Sequence, residues 1–466
     1  MKKFLLILFT CLYSIKSLQN NPVYRCNYDG FKNKINFANI TVKSNNPNKI
    51  FKLNEDGFKD FNIFLDLFNF DYEIQKYGLS EKRDFFANGL IKAKTTLEKL
   101  LKVKQIDNYV FVDEQLMTMN ITKWDTTKIG SEAIKQNKGM RDLGIDLYLF
   151  ISFGDKQEMG ERILASAGPS YVDPITWQPV TGFVKINREV DYSKNNSLRY
   201  LEGILVHELT HVLGFGNHYF DNVMKSCYQA TDSNGVQKYY INSTRVLDTA
   251  KKYFNCDTMK GVALEEYGVN GTVDSHWDAR ILLGEYMNSV IYPEEQVISE
   301  FTLALLEDLG YYKANYYTGG LLKYGKNKGC NFVNDRCINN GIINQEFLNE
   351  FFSNIQSGDT FADPSCSSGR QSRTYHRLLR YSKRIPENYQ YFTNPYIGGL
   401  ATADYCPVSV EDNHEAQAIY HVGHCSEIGS GNYGSQISYS NYGSKDKYKN
   451  SELQKYTGES YSNNSF

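Results

Sequence analysis

The spacing of apolar residues predicts alternating strands and helices in the first half of the chain. Apolar residues recur at helical spacing over 80–103 and again over 198–213, where they cover most of the helix circumference. Short apolar or alternating runs predict strands at 61–66, 145–151 and 182–187. This order predicts a mixed α/β half in which the second helix is buried in the domain centre.

The second half of the chain has a less regular pattern. Residues 220–273 form a polar stretch bracketed by cysteines, and a further helix is predicted over 294–309, closed by Gly310. Beyond Cys330 the predicted elements are short, so disulfides are expected to stabilise this part more than a large core does. The last residues, 429–466, are rich in Ser, Gly, Tyr, Asn and Lys and are predicted to be flexible.

The first residues read as a secretory signal peptide. Two lysines precede an apolar run, Phe4–Leu12, and small or polar residues follow around Ser17. A membrane anchor is the alternative, but the run is shorter than the roughly 18 residues of a spanning helix. Cleavage is expected between Ser17 and Asn20. No later stretch is long enough to span a bilayer, and no GPI signal is visible at the C-terminus, so a secreted or cell-surface protein is expected.

Composition changes this picture in two ways. The 466 residues are 41% hydrophobic and 14% aromatic, which predicts a folded chain, and the net charge of −2 disfavours a general nucleic-acid binder. Secretion would expose the chain to an oxidising compartment, where most of the remaining eight cysteines should pair: Cys26, Cys227, Cys256, Cys330, Cys337, Cys366, Cys406 and Cys425. In a secreted protein, six Asn-x-Ser/Thr sequons become candidate glycosylation sites: Asn39, Asn120, Asn195, Asn242, Asn270 and Asn463.

The predicted central helix carries the segment His207-Glu208-Leu209-Thr210-His211. Imidazoles at i and i+4 lie one turn apart on one helix face, so both can bind one metal ion while Glu208 projects beside it. This spacing is a zinc-protease signature. The alternative is a pair of hydrogen-bonded core histidines, but burying two histidines and a carboxylate together is costly without a metal or hydrogen bonds.

A catalytic zinc ion needs a third protein ligand and an open coordination position. In the compact form of the motif a glycine and a third histidine follow at fixed spacing. Gly214 fits that pattern, but Asn217 occupies the histidine position and His218 comes one residue late. We therefore interpret His218 as a loop residue and His276 as the better candidate for the third ligand.

This arrangement resembles the leishmanolysin family of metzincin proteases, a trypanosomatid family with relatives in ciliates and animals, and most closely a ciliate-type relative. In that family a large insertion separates the zinc helix from the third histidine, and a methionine-containing turn follows. The resemblance extends from about residue 55 to 425 and rests on these segments: His207-Glu208-x-x-His211-x-x-Gly214-Phe215, Ser275-His276-Trp277, Glu285-x-Met287, 309–316, Gly329-Cys330 and Asp404-Tyr405-Cys406-Pro407.

The resemblance implies a role for each matching site residue. His207, His211 and His276 would bind one Zn²⁺ ion, and Met287 would form the floor of the site. Glu208 would be the general base that takes a proton from a zinc-activated water and returns it to the leaving amine. The strand at 182–187 resembles the edge strand that pairs with an extended substrate in metzincins, although by its own pattern it is equally a core strand.

The fold implied by the resemblance is α+β, a metzincin-type zinc protease with a twisted mixed sheet, a central zinc-binding helix and a disulfide-rich C-terminal part. The expected organisation is a signal peptide at 1–19, a pro-segment at 20–55, an N-terminal catalytic subdomain with the zinc helix at 56–216, an insertion with the third ligand and the Met-turn at 217–310, a disulfide-rich C-terminal domain at 311–428 and a flexible tail at 429–466.

The expected function is a secreted zinc endopeptidase, made as a zymogen, that hydrolyses proteins or peptides. The alternative is a surface adhesion or binding protein that keeps the fold and does not cleave. A complete ligand set together with Glu208 favours the enzyme, because a degenerate binder has no need of a general base.

Two weaker signals concern cysteines and histidines near the chain ends. Cys26 resembles the propeptide cysteine that occupies the open position of zinc and keeps such enzymes latent. A disulfide partner is the alternative, supported by the even number of cysteines, and both interpretations stay open. His421, His424 and Cys425 could form a second metal site, but a disulfide-stabilised structural module is favoured.

Overall fold

The computed structural model describes residues 36–37, 57–106, 144–160, 163–190, 198–266, 273–290, 296–339, 342–347, 350–351, 364–366, 368, 373–375 and 378–408. The helices are α1 Phe68–Lys76, α2 Arg83–Leu100, α3 Lys156–Met159, α4 Leu198–Val212, α5 Asn217–Tyr219, α6 Thr244–Phe254, α7 Ala279–Leu282, α8 Glu300–Asp308 and α9 Gly329–Asn334. The strands are β1 Asn36–Phe37, β2 Phe58–Asp60, β3 Ile63–Asp66, β4 Leu101–Lys104, β5 Leu147–Gly154, β6 Ala165–Val172, β7 Pro179–Asn187, β8 Cys227–Thr231, β9 Gln237–Ile241, β10 Val262–Ala263, β11 Tyr312–Ala314, β12 Pro364–Cys366, β13 Arg373–Tyr375, β14 Leu379–Arg380 and β15 Ile397–Gly398.

A five-stranded mixed sheet organises the first half of the chain. Its strand order is β1-β6-β7-β5-β3. The strands β3, β5 and β7 are parallel to one another, whereas β6 runs antiparallel to β7. Strand β5 is buried at nearly every position, as its continuous apolar run predicts for a parallel strand covered on both faces. The predicted mixture of strands and helices is confirmed.

Strand β7 is an interior strand. It is hydrogen-bonded to β5 on one side and to β6 on the other. The interpretation of 182–187 as a sheet edge is therefore wrong and its interpretation as a core strand is confirmed, because β6, which precedes β7 in the chain, pairs with its other side. The outer strand of this antiparallel pair is β6. The C-terminal end of β6, at Tyr171 and Val172, pairs in parallel with β1.

Helix α4 lies in the middle of this half and packs against both α2 and the sheet. Its residues from Gly203 to Val212 are buried without interruption. Gly182 of β7 permits the close approach, because a Cβ atom there would lie 2.3 Å from Cγ1 of Val212. The buried central helix predicted from its all-round apolar pattern is confirmed.

Gly203 explains how α4 meets a second segment of the chain. A Cβ atom at this position would lie 3.3 Å from the ring of Tyr286, so the helix and the turn at Tyr286 are in close contact. This is the close packing against a neighbour that a glycine in mid-helix predicts.

Two predicted helices have different ends in the structure. Helix α2 stops at Leu100, and the next four residues form β4, which pairs with β2 and β11. The apolar residues Leu100 and Leu101 suit both a helix and a strand, and tertiary pairing selects the strand. The helix predicted over 294–309 begins only at Glu300, where the side chain of Ser299 accepts a hydrogen bond from the amide of Phe301.

The stretch described as polar in the sequence, 220–273, contains more structure than its composition predicts. Strands β8, β9 and β10 form a small antiparallel sheet, and α6 packs an apolar face against α8. Disulfide bonds join Cys256 to Cys330 and Cys337 to Cys406. One buried apolar cluster continues from Phe61 to Val408, so the segments share a core.

Several predictions fall outside the described residues. They concern the leader, most of the segment 20–55 including Cys26, the tail 429–466, and the group of His421, His424 and Cys425. Of the sequons, Asn242 is described and exposed. Within the described ranges, no helix combines the length and apolar character needed to cross a membrane.

Candidate metal centre

Three histidine side chains meet in the interior of the molecule. His207, His211 and His276 are fully buried. The Nε2 atom of His207 lies 3.2 Å from Nε2 of His211 and 3.3 Å from Nε2 of His276. The structure thus brings together the three residues predicted as metal ligands.

Two separate parts of the chain carry the three histidines. His207 and His211 are one turn apart on α4, so the helix fixes their relative position. His276 lies on a separate segment that pairs with 263–265. The carbonyl oxygen of His276 accepts a 3.0 Å hydrogen bond from the amide of Glu265. A bridge between Leu264 and Trp277 extends the pairing by one residue.

The Nδ1 atom of each imidazole ring also makes a polar contact. Nδ1 of His207 donates to the carbonyl oxygen of Tyr286, and Nδ1 of His211 donates to that of Phe215 at 2.7 Å. Nδ1 of His276 lies 3.2 Å from Oγ of Ser275. Contacts of this kind select the tautomer whose Nε2 lone pair is available to a metal.

Burial favours the neutral, metal-binding form of the two histidines on α4. It lowers the pKa of His207 to about 4, partly offset by the hydrogen bond to Tyr286. Burial also lowers the pKa of His211 well below its usual value, and the neighbouring rings of His207 and His276 lower it further. Neutral imidazole is the form in which histidine coordinates zinc.

The nitrogen separations match those expected around a zinc ion. Tetrahedral zinc with Zn–N distances of about 2.0–2.1 Å keeps its nitrogen ligands about 3.3 Å apart. The measured separations, 3.2 and 3.3 Å, agree with this value. Three neutral nitrogens in a buried cluster fit a zinc site with three protein ligands, and the group could hold one ion.

The turn at 285–288 lies against two of the three histidines. The carbonyl of Tyr286 contacts His207, and the carbonyl of Met287 accepts a 2.9 Å hydrogen bond from the amide of Trp277, next to His276. The side chain of Met287 is buried. This turn therefore supports the positions of both His207 and His276.

A buried carboxylate holds the turn in shape. Glu285 accepts hydrogen bonds from the amides of Met287 and Ser299 and from the hydroxyls of Ser299 and Thr302. Burial raises the pKa of Glu285, and these hydrogen bonds lower it. The sequence indicates Glu285 only as part of a motif, without a role.

His218 does not belong to the triad. Its ring contacts Trp177 in a tilted arrangement, with centroids 5.0 Å apart, and Nδ1 lies 3.4 Å from Nδ2 of Asn222. The group of side chains that could hold a metal ion here contains His207, His211 and His276, and His218 is not part of it. Cys227 is a free thiol among the described cysteines, and burial raises its pKa to about 12, so it stays protonated.

Comparison with known proteins identifies the family. The family model described as leishmanolysin matches residues 78–433, well over half of the chain. The chain belongs to the leishmanolysin family. This family is zinc-dependent, and the histidine triad provides a group that could bind the metal.

Individual members of the leishmanolysin family show how far the similarity extends. The chain is 31% identical to a leishmanolysin homolog of Crithidia fasciculata over 50% of this chain and 34% of that protein. It is 25% identical to leishmanolysin of Leishmania donovani over 71% of this chain and 52% of that protein. A leishmanolysin-like peptidase of Drosophila melanogaster is 32% identical over 35% of this chain and 25% of that protein. The matches thus span about a quarter to a half of the length of these relatives.

Proposed function

We propose that this chain is a zinc-dependent endopeptidase that hydrolyses internal peptide bonds of proteins or peptides. The observation that carries the proposal is the convergence of three buried Nε2 atoms beside Glu208 in a member of the leishmanolysin family. His207, His211 and His276 would hold one zinc ion. When bound, zinc supplies Lewis acidity to the scissile carbonyl and makes a water molecule more acidic.

Glu208 performs the proton transfers in this proposal. It is buried and follows His207 directly on α4. It removes a proton from the attacking water while the oxygen bonds to the carbonyl carbon, and it delivers that proton to the amide nitrogen as the C–N bond breaks. The products are one carboxylate and one amine, so one carboxylate side chain serves as base and then as acid.

A non-catalytic adhesion protein is the competing function. Such a protein would use its surface for binding and would place no demand on a buried carboxylate between two metal ligands. Retention of Glu208 in a sequence that also keeps the three histidines supports the enzyme over this alternative.

Endopeptidase activity can be tested on an unstructured protein substrate. We expect internal cleavage sites, identified by mass spectrometry of the products, and substrates blocked at both termini should be cleaved equally well. A zinc chelator should stop the reaction, and added zinc should restore it. Release of single terminal residues, or cleavage that the chelator does not affect, would contradict the proposal.

We also propose that extended substrates add to the outer edge of β6, and that 20–55 is a pro-segment whose residues Asn36–Phe37 occupy part of this edge. An extended peptide gains main-chain hydrogen bonds when it joins a free sheet edge. The pairing of β1, within 20–55, with Tyr171 and Val172 supports this assignment because it uses hydrogen-bonding positions on the same edge. Secretion through the predicted signal peptide at 1–19 is part of the same proposal.

Removal of 20–55 by limited proteolysis is expected to increase peptidase activity, because the edge of β6 becomes available. The measurement is the cleavage rate of one peptide before and after proteolysis, with the new N-terminus sequenced. An unchanged rate after complete removal would exclude a latency role. Cys26 has two possible roles, and a mapped disulfide at Cys26 would exclude its action on zinc.

A further inference from the structure

A buried lysine lies at the centre of a group of carboxylates outside the metal centre. Lys238 of β9 is 2% exposed. Its Nζ atom lies 2.7 Å from Oδ2 of Asp278, 2.7 Å from Oδ2 of Asp404 and 3.0 Å from Oε2 of Glu266. A buried ammonium ion is tolerated only when such partners compensate its lost hydration.

These three carboxylates are close enough together to share a cation. Because the ammonium group of Lys238 already contacts Glu266, Asp278 and Asp404, a side-chain cation fills this role. Tyr389 also donates a hydrogen bond to Glu266. The group is therefore an ion-paired cluster, which we call the Lys238 cluster, and its chemistry does not require a second metal ion.

The Lys238 cluster joins segments that are far apart in the sequence. Lys238 belongs to the hairpin of β8 and β9, and Asp278 lies two residues after His276. Asp404 comes from the C-terminal region, where Cys406 forms a disulfide with Cys337. The segment Asp404-Tyr405-Cys406-Pro407 is one of the family motifs in the sequence, and the proposed catalytic steps give it no role.

Two of the partners flank the segment that carries His276. The amide of Glu265 donates to the carbonyl of His276, and the amide of Asp278 donates to the carbonyl of Ala263 at 3.2 Å. Glu266 and Asp278 lie on these two hydrogen-bonded segments, and both carboxylates contact Lys238. The ammonium group of Lys238 thus links these two segments next to His276.

We propose that Lys238 is a positioning residue for His276, and that Asp404 couples the C-terminal region to the metal site through it. The inference rests on the proposed function, since it assumes a zinc ion on the triad. His207 and His211 are fixed relative to each other by α4, whereas the position of His276 depends on tertiary contacts of its own segment. Zinc affinity depends on presenting all three nitrogens together, so support of the third ligand should affect it most.

The test measures zinc affinity in folded variants of the full chain. Lys238→Met removes the ammonium group and is expected to weaken zinc binding by about tenfold or more, as loss of outer-sphere support does at other metal sites. At saturating zinc, kcat should fall while KM stays near its wild-type value. The dissociation constant is obtained by competition with a chromophoric chelator, at a temperature where circular dichroism shows each protein folded.

Lys59→Met is the matched control, because it also breaks a buried ion pair. Lys59 pairs with Asp146 in the N-terminal half, and neither residue contacts the triad segments in this pairing. Its zinc affinity should equal that of the wild type even if its unfolding free energy falls. An equal loss of zinc affinity in both variants would show a general effect of destabilisation and overturn the inference.

Asp404→Asn provides an independent variant if Lys238→Met does not fold. Asp404 has a backbone φ of 56°, which asparagine tolerates, and the amide has nearly the same shape as the carboxylate. A loss of zinc affinity in this variant supports the inference, and an unchanged affinity overturns it. If the wild type itself binds no zinc, the proposed function fails together with the inference.

Discussion

Replacing Glu208 with glutamine is expected to lower kcat by at least about 100-fold while zinc remains bound. Positioned general acid–base groups contribute about 10²- to 10⁴-fold to reaction rates, and glutamine can neither accept nor return the proton. The amide has nearly the same size as the carboxylate, so the buried position next to His207 should still pack. The measurement combines steady-state kinetics with metal analysis of the same preparation.

Glu202→Gln is the matched control for this experiment. Glu202 lies on the same helix, and its side chain accepts a 3.0 Å hydrogen bond from Thr96 of α2. Its kcat should stay close to the wild-type value. Near-normal peptidase activity in Glu208→Gln would refute the role of Glu208 as the general base, and loss of zinc from this variant would show that Glu208 contributes to binding.

Replacing His276 with alanine is expected to weaken zinc binding by about 100-fold or more and to remove activity at low zinc. Structural zinc sites bind with about 10–16 kcal/mol shared among four ligands, so one ligand is worth about 3 kcal/mol, and each 1.4 kcal/mol is tenfold in affinity. Two ligands remain on α4. The variant should therefore still bind zinc weakly, measured by competition with a chelator.

His218→Ala separates a true ligand from a nearby histidine. His218 follows α4 closely in sequence, one residue after the position that the third ligand has in the compact form of the motif. Because its ring packs against Trp177 outside the triad, zinc affinity should equal that of the wild type. Equal zinc affinities in His276→Ala and the wild type, or a strong loss in His218→Ala, would contradict the assigned ligand set.

Local sequence pattern predicts those elements whose packing it determines by itself. Helix α4 is apolar on almost every side, so burial follows from the pattern, and β5 is a continuous apolar run that only a covered strand suits. The segment Leu101–Lys104 is different. Its side chains fit a continued helix equally well, and pairing with β2 and β11 decides the outcome.

The order of strands in the sheet is a second feature that the local sequence pattern does not predict. The alternation in β7 indicates a strand but carries no information about what lies on each side of it. Strand β7 inserts between β5 and β6 and is internal, so the edge that could meet a substrate belongs to the next strand outward. Neighbours of this kind are properties of the folded chain.

The residues of the candidate metal site also differ in how far the sequence predicts them. His207 and His211 follow from helical spacing, and His276 follows from resemblance to a family whose third ligand is distant. Glu285 appears in the sequence only as part of a motif, and Lys238 carries no comparable signal, because Asp404 and its other partners come from distant segments. Lys238 lies in a short alternating strand, where a lysine by itself predicts an exposed position.

Zinc titration of the metal-free protein tests the central claim most directly. The chain is stripped of metal with a chelator, dialysed, and titrated with zinc while peptide cleavage and bound metal are measured in the same samples. The account predicts no cleavage without metal and a linear rise that ends at one zinc ion per chain. Full activity in the metal-free protein, or a folded protein that binds no zinc, would contradict it.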